Sequence, residues 1–523
     1  MSGTQKQWKP KSNPWLVAVI VTLGAFMEVL DTTIVNVSLP HIAGSLSISS
    51  DESTWTLTTY LVANGIVLTI SGALSRRLGR KNYFLICIGA FTAASFACGI
   101  ATNFEEILLF RALQGFFGGG LQPTQQAIIL DHFPPEKRQQ AFSLTAIAII
   151  IAPVVGPVVG GFLTDTYSWH WIFLINVPIG IGTFFGVMAF VEDSPMIEEE
   201  KRTAPRFDYL GVFFIALALG CLEVGTDRGE DYDWLGSTFI RVMFILSACG
   251  FLFGITYLLN AKNPIVNLRV YKDRNFALGS LQIAMMGFVL YASAVLIPQF
   301  AQAQLGYTAT WAGLVLAPGA VVLTMLIPIV GKILNFVKTK YVIASGGLAL
   351  GLALFYSMDL VPQLDFYHLM LYRAAQTAGL ALLFVPISTI AYATVPPALN
   401  GDATALFTMA RNVFGGIGIS VSTALVTDHE QIRQSYLIDH LSATSQPYQV
   451  LLQQIQHGLV NAGQSMAQAV QGAPGQVFQM LQTQSAVLAY SDVFMITGLM
   501  SLVMIPTALL MSGIKTKASG GGH

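Results

Sequence analysis

The sequence predicts an all-α membrane protein of fourteen transmembrane helices. Of its 523 residues, 54% are hydrophobic and only 11% charged, with a mean hydropathy of +0.61, whereas a soluble domain carries roughly a quarter charged residues. The apolar residues are gathered into runs of the length that crosses a bilayer, about 20 residues each. A third observation, an internal repeat, divides those runs six plus two plus six.

In order, the spans read 15–37, 55–75, 82–101, 104–128, 139–163, 172–191, 208–226, 237–260, 276–298, 310–334, 341–361, 367–392, 403–426 and 490–512. Residues 1–14 are polar and basic and lead into the first span without a small-residue cleavage site, which reads as a cytoplasmic tail and not as a cleaved signal peptide. Residues 513–523 read as a flexible tail. With the N-terminus in the cytoplasm, 21 of the 27 Lys and Arg fall in or beside cytoplasmic segments, as the positive-inside rule requires, so both termini are expected there. Arg228 and Arg433 fall in outer loops and Arg241 near a helix start. Arg111, Arg373 and Arg411 fall within spans.

The repeat is carried by FRALQGFFGGGLQPT in span 4 and YRAAQTAGLALLFVP in span 12: Arg111, Gln114 and Pro134-Pro135 recur as Arg373, Gln376 and Pro396-Pro397, each 262 residues later. GALSRRLGRK closes span 2 as GKILNFVKTK closes span 10. An offset of eight spans means two six-helix halves, 15–191 and 276–512, around an inserted pair, 208–260. Parallel halves of six helices are the arrangement of major facilitator transporters, which handle substrate near the bilayer midplane between the halves.

Several function classes are excluded or disfavoured. The net charge of -1 points to no nucleic-acid partner. No G-x-x-x-x-G-K-[ST] phosphate loop is present to couple ATP to work, so a gradient is the expected energy source, with no cofactor. Cys87, Cys98, Cys221 and Cys249 lie in apolar runs without C-x-x-C spacing and read as packing residues, neither metal ligands nor disulfides. A polytopic membrane enzyme would need a nucleophile, base or metal set clustered at one interface, and the sequence offers none.

Span 1 carries two acids, Glu28 and Asp31. A carboxylate at mid-membrane depth costs about 2.5–3.5 kcal/mol, and at i and i+3 the two share a helix face, within about 6 Å at Cβ. Two close carboxylates resist ionising together, so one is suited to hold a proton. Asp31 lies roughly 12 Å from the outer end of span 1, the depth of Arg111 in antiparallel span 4, and the two are expected to pair. Glu28 is expected to help Asp31 by extending the proton path or receiving cationic substrate, the alternative being a polar residue that faces a water-filled cavity. Gln114, Arg373 and Arg411 are candidates for binding anionic substrate groups or balancing charge. Glu223 and Asp227, near the outer end of span 7, read as solvated.

In span 5, APVVGPVVGG strips side chains from one helix face at Gly156, Gly160 and Gly161 and bends the helix at Pro153 and Pro157. In GALSRRLGRK, Gly72 and Gly79 suit a tight helix-to-helix turn, and Arg77, Arg80 and Lys81 can meet carboxylates or anionic lipid heads. Tyr167, Trp169, Trp171 and Phe173 read as an outer aromatic belt, with His170 at the same level. Residues 427–489 form a long hydrophilic outer insertion, with Leu451, Leu452, Ile455 and Leu459 at helical spacing and Pro447 and Pro474 near helix starts.

On LDTTIVNVSLP (30–40), LLFRALQG (108–115), APVVGPVVGG (152–161) and WHWIFLINVPIG (169–180), the chain resembles the fourteen-helix drug:proton antiporters of the major facilitator superfamily, the EmrB/QacA kind, along nearly its whole length. The resemblance implies proton-coupled export of hydrophobic or amphipathic toxic compounds across the bacterial inner membrane. It places Asp31 on the span-1 acidic motif and Arg111 on the span-4 motif linked to proton coupling, makes Pro153 to Gly161 the antiporter motif, and makes Gly72, Arg77, Gly79 and Arg80 part of the cytoplasmic gating loop. It further implies that the 427–489 segment docks a periplasmic membrane-fusion adaptor leading to an outer-membrane channel. Two positions depart from the pattern: Ala152 replaces a glycine, and Arg76 stands where most of the superfamily has an Asp, so Arg76 is expected to be dispensable for gating. A dedicated exporter of one compound, such as a fatty acid, siderophore or antibiotic, is the alternative.

Overall fold

The computed structural model describes residues 11–203, 207–396, 399–439, 441 and 445–512. Residues 1–10 of the expected cytoplasmic tail, Pro397 of the repeated pair and the tail 513–523 lie outside the described residues. The first half begins with α1 (Pro14–Ile34), α2 (Leu39–Leu46), α3 (Ser50–Leu78) and α4 (Arg80–Cys98), and continues through α5 (Phe104–Gly118), α6 (Leu121–His132), α7 (Pro135–Thr166), α8 (Trp171–Leu174) and α9 (Asn176–Phe190). Next come α10 (Pro195–Thr203), α11 (Tyr209–Asp227) and α12 (Thr238–Asn260). The second half holds α13 (Arg274–Ala303), α14 (Ala309–Leu314), α15 (Ala317–Phe336), α16 (Thr339–Tyr356), α17 (Phe366–Ala381), α18 (Phe384–Tyr392), α19 (Asn400–Ile438), α20 (Gln446–Asn461) and α21 (Met466–Leu509).

Helix starts are set by side chains that accept the first free backbone N–H groups. Asn13 caps α1, Asn103 caps α5 and Asp273 caps α13, and Ser49 with Glu52 makes a reciprocal capping box on α3. Twelve helices among the described residues are long and apolar enough to cross a membrane, or thirteen if Glu136–Pro153 and Val155–Thr166, set at 40° within α7, form one span. The molecule is a multi-pass membrane protein. The predicted span 104–128 fails that test because it is broken at Gly118–Gly120 into α5 and α6 and carries Arg111, Gln114, Gln122, Gln125 and Gln126, all buried inside the protein.

The two halves meet where α3, α6 and α7 pack against α14, α15, α18 and α19. α11 pairs with α12 and also packs on both α3 and α19, so α11 reaches the seam where those two helices meet. The long polar insertion consists of the C-terminal end of α19, the separate helix α20 and the first turns of α21. Arg433 clamps its base, donating to both oxygens of Asp492 at 2.8 and 2.6 Å.

Two expectations for this end of the molecule are corrected. Trp169 is not a belt residue but buried, its ring stacked 3.7 Å from that of His170; Phe173 is likewise buried, and Tyr167 and Trp171 alone are exposed. Arg228, in the loop that follows α11, has a buried side chain bonded to Asp231 at 2.9 Å, with the guanidinium 4.3 Å over the Trp55 ring. Glu223 and Asp227 are not solvated at the surface but line an internal cavity.

Candidate transport site

That cavity, of about 570 Å³, lies between the halves at the end of α1 that leads into α2, a size typical of small-molecule pockets. α1 and α3 supply Glu28, Thr32, Leu57, Leu61 and Asn64; α7 supplies Pro153 and Pro157; α13 and α19 supply Tyr291, Val295, Gln299, Asn412 and Gly416. The walls alternate aliphatic side chains with amides, hydroxyls and acids, which suits a guest with both apolar and polar parts.

Asp31 sits behind this wall, 0% exposed, at the centre of a buried polar cluster. Arg111 Nη1 donates to it at 2.5 Å, Gln114 at 2.8 Å and Asn176 at 2.9 Å. Arg111 also donates to the Thr56 carbonyl at 3.1 Å and lies 4.2 Å over the Tyr60 ring. Ser95 closes the cluster by accepting from Gln114 and Asn176, each at 3.1 Å. Charges this deep are tolerated only when paired and hydrogen-bonded, and here four helices, α1, α4, α5 and α9, are held by one carboxylate and its partners.

Glu28, one turn away, faces the cavity and is held by neutral amides. Asn64 donates to it at 2.9 Å, and Gln122 donates to its other oxygen. Gln122 in turn accepts from Arg411 of α19. A continuous chain therefore runs from the cavity-wall acid in the first half to a buried arginine in the second. Nearby, the Tyr392 hydroxyl donates to Gln126 Oε1 at 2.9 Å across the same boundary. Gln122, Asn64 and Asn176 were not singled out in the sequence; the signal available was their polarity within apolar spans.

The second half repeats the cluster with its acid removed. Arg373 donates to Ser293 at 2.9 Å and Gln376 to Ser357 at 2.8 Å, each residue 262 positions after Arg111, Asp31, Gln114 and Ser95 respectively. Arg373 is 0% exposed, and its Nε and Nη2 find no hydrogen-bond partner among the described residues. Ser293 thus occupies the place of Asp31.

At the opposite end of the molecule the halves touch. A Cβ on Gly72 would lie 2.6 Å from the Gly401 carbonyl oxygen, so only glycine permits α3 and α19 to approach this closely. Beside it, Arg76 bonds Asp402 at 2.7 Å, a contact that the expectation of a dispensable Arg76 does not include. The other loop residues anchor within the first half or remain exposed: Arg80 bonds Asp131 and donates to the Ala127 carbonyl at 2.7 Å, Gly79 turns the chain at φ +85°, and Arg77 lies exposed with its guanidinium 5.8 Å over Phe207.

The glycines of span 5 face α1 immediately beyond Asp31. A Cβ on Gly156 would meet Thr33 Oγ1 at 2.2 Å, and one on Gly160 would meet the Ile34 carbonyl oxygen at 2.8 Å; Gly161 is buried on the same helix. α7 thus lies against the acidic stretch of α1 while its prolines line the cavity.

Two helical halves around a central cavity, with buried charge at the seam, define a membrane transporter and not an enzyme. The Major Facilitator Superfamily profile matches residues 21–427, and the chain belongs to that family. It is 31% identical to the multidrug export protein EmrB of Escherichia coli (strain K12) over 520 residues, 99% of each chain. It is also 31% identical to the fatty acid resistance protein FarB of Neisseria gonorrhoeae over 509 residues, 97% of each. Among solved structures, the human organic anion transporter MFSD10 aligns over 94% of this chain and 100% of its own with a TM-score of 0.54 at 14% identity. A bacterial homolog of the human lysosomal transporter Spinster, inward-facing and occupied, covers 97% and 98% at 0.51 and 19%; these two likenesses speak for the fold alone.

Proposed function

We propose that this transporter exports hydrophobic or amphipathic toxic compounds in exchange for protons, by alternating access, across the bacterial inner membrane. The observation that supports it best is the chain Glu28–Gln122–Arg411, which ties an acid on the cavity wall to the contact between the halves. A proton on Glu28 weakens it as an acceptor from Gln122 and Asn64, and so alters the hold of Gln122 on Arg411. Chemistry at the wall thereby biases which side opens. Asp31, shut behind Arg111 in this conformation, is the proton carrier in the conformation that parts the pair, and Arg111 tunes its proton affinity. The kinship with EmrB supports the drug class.

In this reading α5 and α6 together make the fourteenth span despite their polarity, giving halves 15–191 and 276–512 around the pair 208–260, with both termini cytoplasmic. The Gly72–Gly401 contact then closes the cytoplasmic side, and the cavity belongs to the periplasmic side. The insertion 427–489 is the docking surface for a membrane-fusion adaptor that hands substrate to an outer-membrane channel. Export of a single compound such as a fatty acid is the second reading, supported by the similarity to FarB.

The test is drug exchange in proteoliposomes under an imposed pH gradient. Asp31→Asn is expected to bind drug and lose gradient-driven exchange; wild-type exchange and proton release by this variant would move coupling elsewhere, with Glu28 the next candidate.

A further inference from the structure

The wall facing α1 is partly made by the inserted pair. α11 presents Glu223 and Asp227 to the cavity that Glu28 also lines, and at i and i+4 the two lie on one helix face. Asp227 accepts from the Thr58 hydroxyl. Glu223 is 8% exposed, and its carboxylate makes no hydrogen bond or ion pair with any described residue. It projects toward α19, where its Oε1 is 2.8 Å from the point that a Cβ on Gly416 would occupy. The absent side chain at 416 is what leaves room for it.

Three of the residues lining the cavity are acids, and none is Lys or Arg. Around them stand Val29, Leu57, Leu61, Val295 and Ile419, a surface for hydrocarbon or aromatic rings. A buried carboxylate without a partner is costly, and that cost falls when a cation arrives. We infer that the cavity selects amphipathic cations, Glu223 meeting the cationic centre while Asp227 and Glu28 add to the negative field. The inference rests on the export reading of the same cavity and names its substrate class. An amphiphile bearing its own carboxylate meets acids and neither Lys nor Arg on this wall and is disfavoured, so the inserted pair sets specificity and is not a spacer.

The test uses the purified full chain in lipid nanodiscs, with tetraphenylphosphonium as the cation, oleate as the anion and a neutral hydrophobic dye as the reference. Wild type is expected to bind the cation in preference to oleate. Glu223→Gln should weaken the cation by about tenfold and the neutral dye by less than about twofold, with Glu223→Asp recovering part of the loss. Gly416→Ala changes no charge but displaces the Glu223 carboxylate, and should also weaken the cation selectively; retained dye binding reports an intact cavity. Cation binding at wild-type strength by Glu223→Gln, or tighter binding of oleate than of the cation by wild type, overturns the cation assignment and leaves export standing. Transport of none of the three compounds by wild type in proteoliposomes removes the export reading itself, and the assignment with it.

Discussion

Arg76 of the first half bonds Asp402 of the second at 2.7 Å, directly beside the contact of Gly72 with Gly401. Arg76 stands where the resemblance places an acid, and an acid of the second half stands opposite it, so the two are held by attraction across the seam. Asp402, 3% exposed, depends on this partner more than Arg76, 22% exposed, depends on it. Arg76→Ala is therefore expected to impair efflux, Arg76→Asp to impair it further, and Arg76→Asp with Asp402→Arg to restore a substantial part. A double-mutant cycle on transport rates should give a coupling of about 0.5–3 kcal/mol; a coupling of zero would reduce the pair to a bystander.

The pair Asp31–Arg111 makes a prediction about stability as well as transport. Removing one member of a fully buried pair costs about 3–5 kcal/mol because the other is stranded. Arg111→Ala and Asp31→Ala should each lower the melting temperature in detergent, and the double variant should melt higher than additivity requires. Asp31→Asn keeps a polar group toward Gln114 and Asn176 and should fold. Additive losses would show that the two charges do not depend on one another.

Gln122 offers a way to separate binding from coupling. Gln122→Leu cuts the connection from Glu28 to Arg411 while leaving Asn64 on the acid. Substrate counterflow without a gradient should persist, whereas exchange driven by a pH gradient should fall by about tenfold, equivalent to ~1.4 kcal/mol. Equal loss of both activities would make Gln122 a structural residue.

α20 has no buried residue, so replacing 446–461 by a short Gly-Ser linker should leave the protein folded and active in liposomes. Resistance in cells should nevertheless collapse if the hairpin carries the adaptor. Full resistance from this variant would locate docking on another surface.

The sequence exposed some of this and concealed the rest for physical reasons. Asp31 and Arg111 stood out because an ionised group within an apolar run is expensive, and antiparallel spans at equal depth allow only a few partners. The second-half copy was half visible: Arg373 and Gln376 repeat Arg111 and Gln114, but Ser293 gives no sign of standing where an acid stood. Glu223 and Asp227 misled because hydropathy marks where a helix runs out of apolar residues, not where its neighbours leave a cavity. Asp402, at the start of a helix, resembles any acid that favours an N-terminus, and only the fold brings Arg76 to it. Trp169 looked interfacial because aromatic rings near a span end usually are, yet its stacking on His170 depends on the turn between α7 and α8.

α19 runs from Asn400 to Ile438 as one helix of 39 residues, about 58 Å long at 1.5 Å per residue. Along that single rod lie Asp402, Arg411, Gly416 and, at the far end, Arg433 with its clamp on Asp492. A stiff rod transmits displacement along its length, so the bolt at one end, the arginine within the first third and the hairpin beyond are mechanically in series. A load placed on the hairpin would be carried along this helix to Asp402, so a partner that held the hairpin would also hold one end of the lever that bolts the halves together.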